Sequence, residues 1–142
     1  MNVKSYIYKV VRDAKKASRL VAIADTSLKN AALEQMALNF ITSKEILIVE
    51  NEKDLKAAEE NGLSAAMIDR LRLTEQRIES MEEGIREVIN LSDPVGEIME
   101  EIVRPNGLDI QKIRVPIGVI IIIYESRPNV TADAASLCLK TG

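Results

Sequence analysis

Residues 115–142 read VPIGVIIIIYESRPNVTADAASLCLKTG, and this stretch decides the fold. The apolar run from Ile117 to Ile123 is too short to cross a bilayer, which takes roughly 20 apolar residues. It reads instead as a strand buried on both faces, the kind found inside parallel sheets. A parallel sheet needs further strands joined by crossover helices. The sequence reaches Gly142 where the first crossover helix would hand over to a second strand, so the chain is expected to be the front part of something larger.

In an open α/β sheet the ligand crevice lies beyond the carboxyl ends of the strands, and Tyr124-Glu125-Ser126-Arg127-Pro128-Asn129 occupies that place. Pro128 suits the start of the following helix, with Asn129 or Thr131 as its cap, so free backbone N–H groups would face the crevice and favour an anionic ligand. Arg127 offers a planar fork for phosphate or carboxylate, and Asn129 a donor to a developing oxyanion. A second reading stands beside this one: Glu125 and Arg127 pair with each other or cap the helix, and the loop is structural.

Working back from that loop, EIMEEIVRPNGLDIQKIRV shows two alternating stretches around Pro105-Asn106-Gly107, a hairpin signal. Before it come helices. Thr74 caps TEQRIESMEEGIREVINL, whose Ile78, Met81, Ile85, Val88 and Ile89 share a face, and Pro94 is expected to end it. Ser64 opens the short turn SAAMIDRL. Lys44 to Glu60 forms a helix closed by Asn61-Gly62. Asp25, Thr26 and Ser27 supply cap oxygens for SLKNAALEQMALNFITS, with Leu28, Ala32, Leu33, Met36 and Phe40 in line. Ser5 to about Ala24 is an amphipathic helix. A coiled coil or partner-binding bundle fits less well, because the spacing breaks at Asp25, Ser43 and Gly62 and a hairpin follows. No linker or repeat separates these parts.

Composition removes several functions. With 22 acidic and 19 basic residues, net charge −3, no Trp and a single Phe, the chain offers no basic stripe or stacking surface for nucleic acid and no polybasic membrane patch. It contains no histidine, which excludes His-based triads and His-ligated metals within it. Cys138 is the one cysteine and cannot form an internal disulfide; with no apolar secretory leader, a reducing cytoplasm is expected. Set among small apolar residues at helical spacing, Cys138 reads as a packing residue rather than a nucleophile. The pairs Glu82–Glu83 are adjacent, hence splayed apart, and unsuited to shared acid–base work.

The residues YESRPNVT, within the quoted segment, resemble the γ-glutamyl phosphate reductase family of the aldehyde dehydrogenase superfamily, and the stretch from Asn51 to Ile98 is similar to that family's N-terminal region. The resemblance implies an α/β fold: residues 1–96 as the helical part of a cofactor-binding domain, 97–115 as a hairpin like the strands used in subunit association, and 116–142 as the first strand, loop and helix of a nucleotide-binding sheet. It implies NADPH-dependent reduction of γ-glutamyl phosphate to glutamate 5-semialdehyde with release of phosphate, a step of proline synthesis, by a homo-oligomer in the cytoplasm. It places Tyr124, Glu125 and Ser126 on the cofactor and Arg127 and Asn129 on the substrate or oxyanion, and extends the partner expectation to glutamate 5-kinase. Related dehydrogenases carry Pro-Trp-Asn after this strand; Glu125-Ser126-Arg127 stands there instead, with Asn129 two positions on, so the oxyanion donor stays open. The family's catalytic cysteine lies far downstream, Cys138 does not match it, and no catalytic residue or metal ligand is expected in this chain. The 142 residues alone are therefore expected to be inactive. From another class, a non-catalytic helical interaction module or remnant is the alternative.

Overall fold

The computed structural model describes residues 2–125 and 127–142. Helix α1 (Val3–Val21) begins where the Asn2 side chain accepts the Lys4 N–H at 3.0 Å. It is strongly amphipathic yet buries no residue, and Tyr6, Ile7, Val10 and Val11 remain exposed. Its polar face carries Lys4, Lys9, Arg12, Lys15, Lys16 and Arg19 against Asp13 alone.

The next helices start at the predicted caps. Asp25 accepts the Leu28 N–H at 2.8 Å and opens α2 (Thr26–Thr42). After Ser43 comes α3 (Lys44–Glu60), and Gly62 at φ +71° then turns the chain through the left-handed region, as the Asn-Gly signal required. Ser64 caps the short α4 (Ala65–Leu71), and Thr74 caps α5 (Glu75–Asn90) by accepting the Arg77 N–H at 3.2 Å. Helix α5 stops at Asn90, ahead of Pro94, because Leu91 is already extended and Asp93 is drawn towards Lys29.

The core is a three-helix contact. Leu33 and Ala37 of α2, Met81, Ile85 and Val88 of α5, and Ala132 of α6 (Pro128–Lys140) form one buried cluster, with Met36, Phe40, Leu73, Ile89 and Leu139 packed around it. The helical spacing read from the sequence therefore selects the inner face of α5 and, in α2, Leu33, Met36 and Phe40, whereas Leu28 and Ala32 are exposed. Truncating Leu33, which is fully buried, to Ala would cost about 2–5 kcal/mol.

A polar lock closes the far end of this bundle. Lys29 Nζ lies 2.6 Å from Asp93 Oδ2 and donates to the Lys140 carbonyl at 3.3 Å. Lys140 Nζ donates to Asn30 Oδ1 at 2.8 Å and to the Ile89 carbonyl at 2.9 Å, capping the last turn of α5. Asp93 also accepts from Thr26 Oγ1 and from the Val95 N–H. Both lysines are buried, and every charge has partners, which burial demands.

Strands β1 (Ile98–Val103) and β2 (Asp109–Ile113) form the predicted antiparallel hairpin, Ile102 facing Ile110 and Val103 facing Asp109, with a bulge between Ile98 and Glu100. Gly107, at φ +83°, supplies the left-handed residue of the turn. The described architecture is thus mostly helical with one two-stranded antiparallel sheet, not a parallel α/β sheet. Residues 117–123, expected as the first strand of a larger parallel sheet, join no ladder among the described residues, and Ile117, Ile121 and Ile123 are 93%, 77% and 95% exposed. A strand is defined by its neighbours, and the two strands present are spent on each other in the hairpin.

Candidate functional site

The loop after residue 123 is bedded between α3, α4, the start of α5 and the first turn of α6. The Tyr124 hydroxyl lies 2.7 Å from Thr131 Oγ1, tying the loop to α6. The Arg127 N–H donates to the Glu125 carbonyl at 2.7 Å. Glu125 Oε1 lies against Arg127 Nε and 3.6 Å from Arg70 Nη1, so one carboxylate is shared by two guanidiniums. The Arg127 Nε–H does not point along its contact with Glu125; the pair is an ionic contact, and among the described residues that N–H has no hydrogen-bond acceptor. The pairing of Glu125 with Arg127 read from the sequence is thus present. Ser126 lies outside the described residues.

The helix begins differently from expectation. Arg127 is the N-cap, with φ −99° and ψ 114° and no side-chain capping bond, and Pro128 occupies the first turn. Proline forces its predecessor out of the helical region, so Asn129 and Thr131 fall inside α6 and cannot cap it. Thr131 meets Tyr124 instead, and Asn129 Nδ2 donates to Asp133 Oδ2 at a long 3.4 Å. Pro128 carries no N–H and the Val130 N–H donates to the Arg127 carbonyl at 3.2 Å, so the start of α6 offers an anion chiefly its positive dipole end.

A cleft of about 480 Å³ opens beside that helix start, within the range of small-molecule sites. Arg127 and Asn129 line it together with Asp69, Arg72, Arg77 and Asp133, over an apolar floor of Leu73 and Met81. Arg77 is committed: it reaches the Asp69 carboxylate at 3.1 and 3.2 Å and the Arg72 carbonyl at 2.8 Å. Tyr124 and Glu125 line a neighbouring hollow, against Leu47, Asn51 and Leu71, and Arg127 and Pro128 border both. There buried Asn51 donates to the Leu71 carbonyl at 3.0 Å and accepts the Leu73 N–H at 2.7 Å, fixing the α4–α5 link that carries Arg72.

Arg127 and Asn129, singled out from the sequence for a crevice at a sheet end, line this cleft between helices, and Asp69, Arg72, Arg77 and Asp133 were missed. The signal available was three arginines within IDRLRLTEQR, a stretch that reads locally as a solvated turn. Cys138 is half-buried rather than part of the core, in a separate groove with Pro94, Val95, Arg114 and Pro116. Among the described residues no three His, Cys, Asp or Glu side chains gather as a metal site, and no helix is long and apolar enough to cross a membrane.

No protein-family model matches the chain. Among curated proteins it is 57% identical over 126 residues to the γ-glutamyl phosphate reductase of Geobacillus sp. (strain WCH70), covering 89% of this chain and 30% of that protein. It is 51% identical over 142 residues to the protein of that name from Desulforapulum autotrophicum, covering 100% of this chain and 34% of the relative. Its structure matches crystal structures of γ-glutamyl phosphate reductase from Thermotoga maritima, with TM-score 0.89 and 39% identity over 92% of this chain and 31% of that one, and from Saccharomyces cerevisiae, with TM-score 0.88 and 28% identity over 94% and 34%. The chain spans about a third of the length of these relatives and is consistent with an N-terminal portion of such an enzyme.

Proposed function

We propose that this chain is the N-terminal part of a cytoplasmic, NADPH-dependent reductase that converts γ-glutamyl phosphate to glutamate 5-semialdehyde and phosphate in proline synthesis. The observation that carries this reading is the match of sequence and fold to enzymes of that name across nearly the whole chain. NADPH, when bound, supplies the hydride. This chain's own residues bind and orient.

Arg127 and the open start of α6 hold an anionic group, phosphate or carboxylate, at the mouth of the cleft, and Asn129 is the oxyanion donor. Their common place on one wall supports the substrate side for both. Tyr124, Glu125 and Ser126 are the cofactor side; the neighbouring hollow lined by Tyr124 and Glu125 supports that division. The Tyr124 ring beside Leu47 and Leu71 offers apolar wall to a flat ring system, so these residues fit one flank of a cofactor site. The Glu125 ion cluster favours a second role for that residue, holding the loop in register with α4.

Residues 97–115 are the subunit-association hairpin of a homo-oligomer, supported by the exposure of every residue in both strands. Glutamate 5-kinase, whose product is an acyl phosphate, is the partner that chemistry suggests. A non-catalytic helical module is disfavoured by residues 117–123, whose bare apolar run is an aggregation liability for a stand-alone protein. The test is NADP reduction by the longer protein supplied with glutamate 5-semialdehyde and phosphate, followed by nicotinamide absorbance. A purified, folded longer protein with no turnover would sink the reading.

A further inference from the structure

Within the reductase reading above, on which this inference rests, we propose that Arg72 and Asp133 form the recognition end for the α-amino-acid head of the substrate, Arg72 binding its carboxylate and Asp133 its ammonium group. A charge account of the cleft singles them out. Of the ionic side chains lining it, Arg77 is paired with Asp69, and Arg70 and Arg127 converge on Glu125. Arg72 and Asp133 have no ion-pair partner among the described residues; the Asp133 carboxylate accepts only the long bond from Asn129. One unpaired guanidinium and one unpaired carboxylate in a single cleft are the complement of a zwitterion.

The rest of the lining fits the rest of the molecule. A γ-glutamyl group has two methylenes between its head and its acyl phosphate, and Leu73 and Met81 supply apolar wall for them. Arg127 and the start of α6 take the phosphoryl end. The head-group residues are held from outside the cleft: Asn51 fixes the link bearing Arg72, and Asp133 stands one turn into α6, with Oδ1 close to the side-chain-free Gly84 of α5. The site therefore selects a 2-amino dicarboxylic acyl chain over a plain dicarboxylic one.

The test uses the full-length protein that carries this chain, as wild type, Asp133→Asn and Arg72→Gln, with circular dichroism as the folding control. NADP reduction is measured with glutamate 5-semialdehyde and with 5-oxopentanoate, which lacks the amino group. Binding of L-glutamate and glutarate is followed on the same samples by saturation-transfer NMR. Loss of one charge-assisted contact is expected to raise KM for the semialdehyde about tenfold or more in Asp133→Asn, with kcat within about twofold and 5-oxopentanoate unchanged. Arg72→Gln should weaken both aldehydes, since both keep a carboxylate, and Arg72→Lys should recover part of the loss. Equal effects of Asp133→Asn on both aldehydes, or none, would overturn the assignment while leaving the reductase reading intact. If wild type turns over neither aldehyde, the reductase reading falls, and the NMR decides the head-group site by itself: L-glutamate binding lost in both variants, with glutarate lost only in Arg72→Gln, supports it, and binding unchanged in either variant refutes it.

Discussion

Lys29 Nζ sits 2.6 Å from Asp93 Oδ2, with the two side chains only 2% and 9% exposed, and this contact fastens the start of α2 to the segment that follows α5. Removing one member leaves a buried charge without its counter-charge. Lys29→Met or Asp93→Leu alone should therefore cost about 3–5 kcal/mol, and the double variant clearly less than the sum. Urea unfolding of the four proteins measures the coupling; strictly additive losses would show that the pair contributes nothing as a pair.

Acid should release the same lock. Burial opposes ionisation of Asp93, but hydrogen bonds from Lys29, the Val95 N–H and Thr26 outweigh it and hold the carboxyl below its ordinary 3.8. A carboxyl depressed by folding contributes stability that is present above its unfolded value and lost as pH falls through its folded value. Wild-type stability is thus expected to drop below about pH 4, and Asp93→Asn to drop less steeply there. Unfolding midpoints across a pH series check this, and parallel curves for the two proteins would contradict it.

Arg127→Lys, made in the full-length protein, keeps the charge at the cleft mouth but loses the planar two-pronged contact. The expected outcome is weaker use of the anionic substrate by about 1–3 kcal/mol, with NADPH affinity less affected. An equal loss for both ligands would instead point to Arg127 as a holder of the loop through Glu125.

The 142-residue chain by itself should neither oxidise NADPH with γ-glutamyl phosphate nor reduce NADP with the semialdehyde. Cys138, the one cysteine of these 142 residues, is half-buried in a groove apart from the cleft, so no thiol of this chain is brought to it. Turnover that vanished in Cys138→Ser would reverse both statements.

What could be read from the sequence was local. Asp25, Ser64 and Thr74 are caps because a short polar side chain meets an orphan N–H two or three residues on, a relation contained in one turn. Gly62 and Gly107 were legible for the same reason. Residues 117–123 stay an expectation, because a buried strand depends on partners and none of the described residues pairs with them. Arg72, Arg77 and Asp133 were invisible as a group because they converge only when α4, α5 and α6 pack, whereas Arg127 and Asn129 flank Pro128, which marks the helix start in the sequence itself.

Helix α1 leaves the molecule with charge of two signs in two places. It bears six cations and one acid in a chain whose net charge is −3, and it buries none of its residues against the rest. The isoelectric point of about 5.2 therefore describes neither part: near neutral pH one helix is cationic and the rest of the chain anionic. Such a dipole is governed by ionic strength more than by pH, reaching tens of ångströms in dilute buffer and only about 8 Å at physiological salt. In low salt the chain should cling to cation- and anion-exchange surfaces alike, each by a different end.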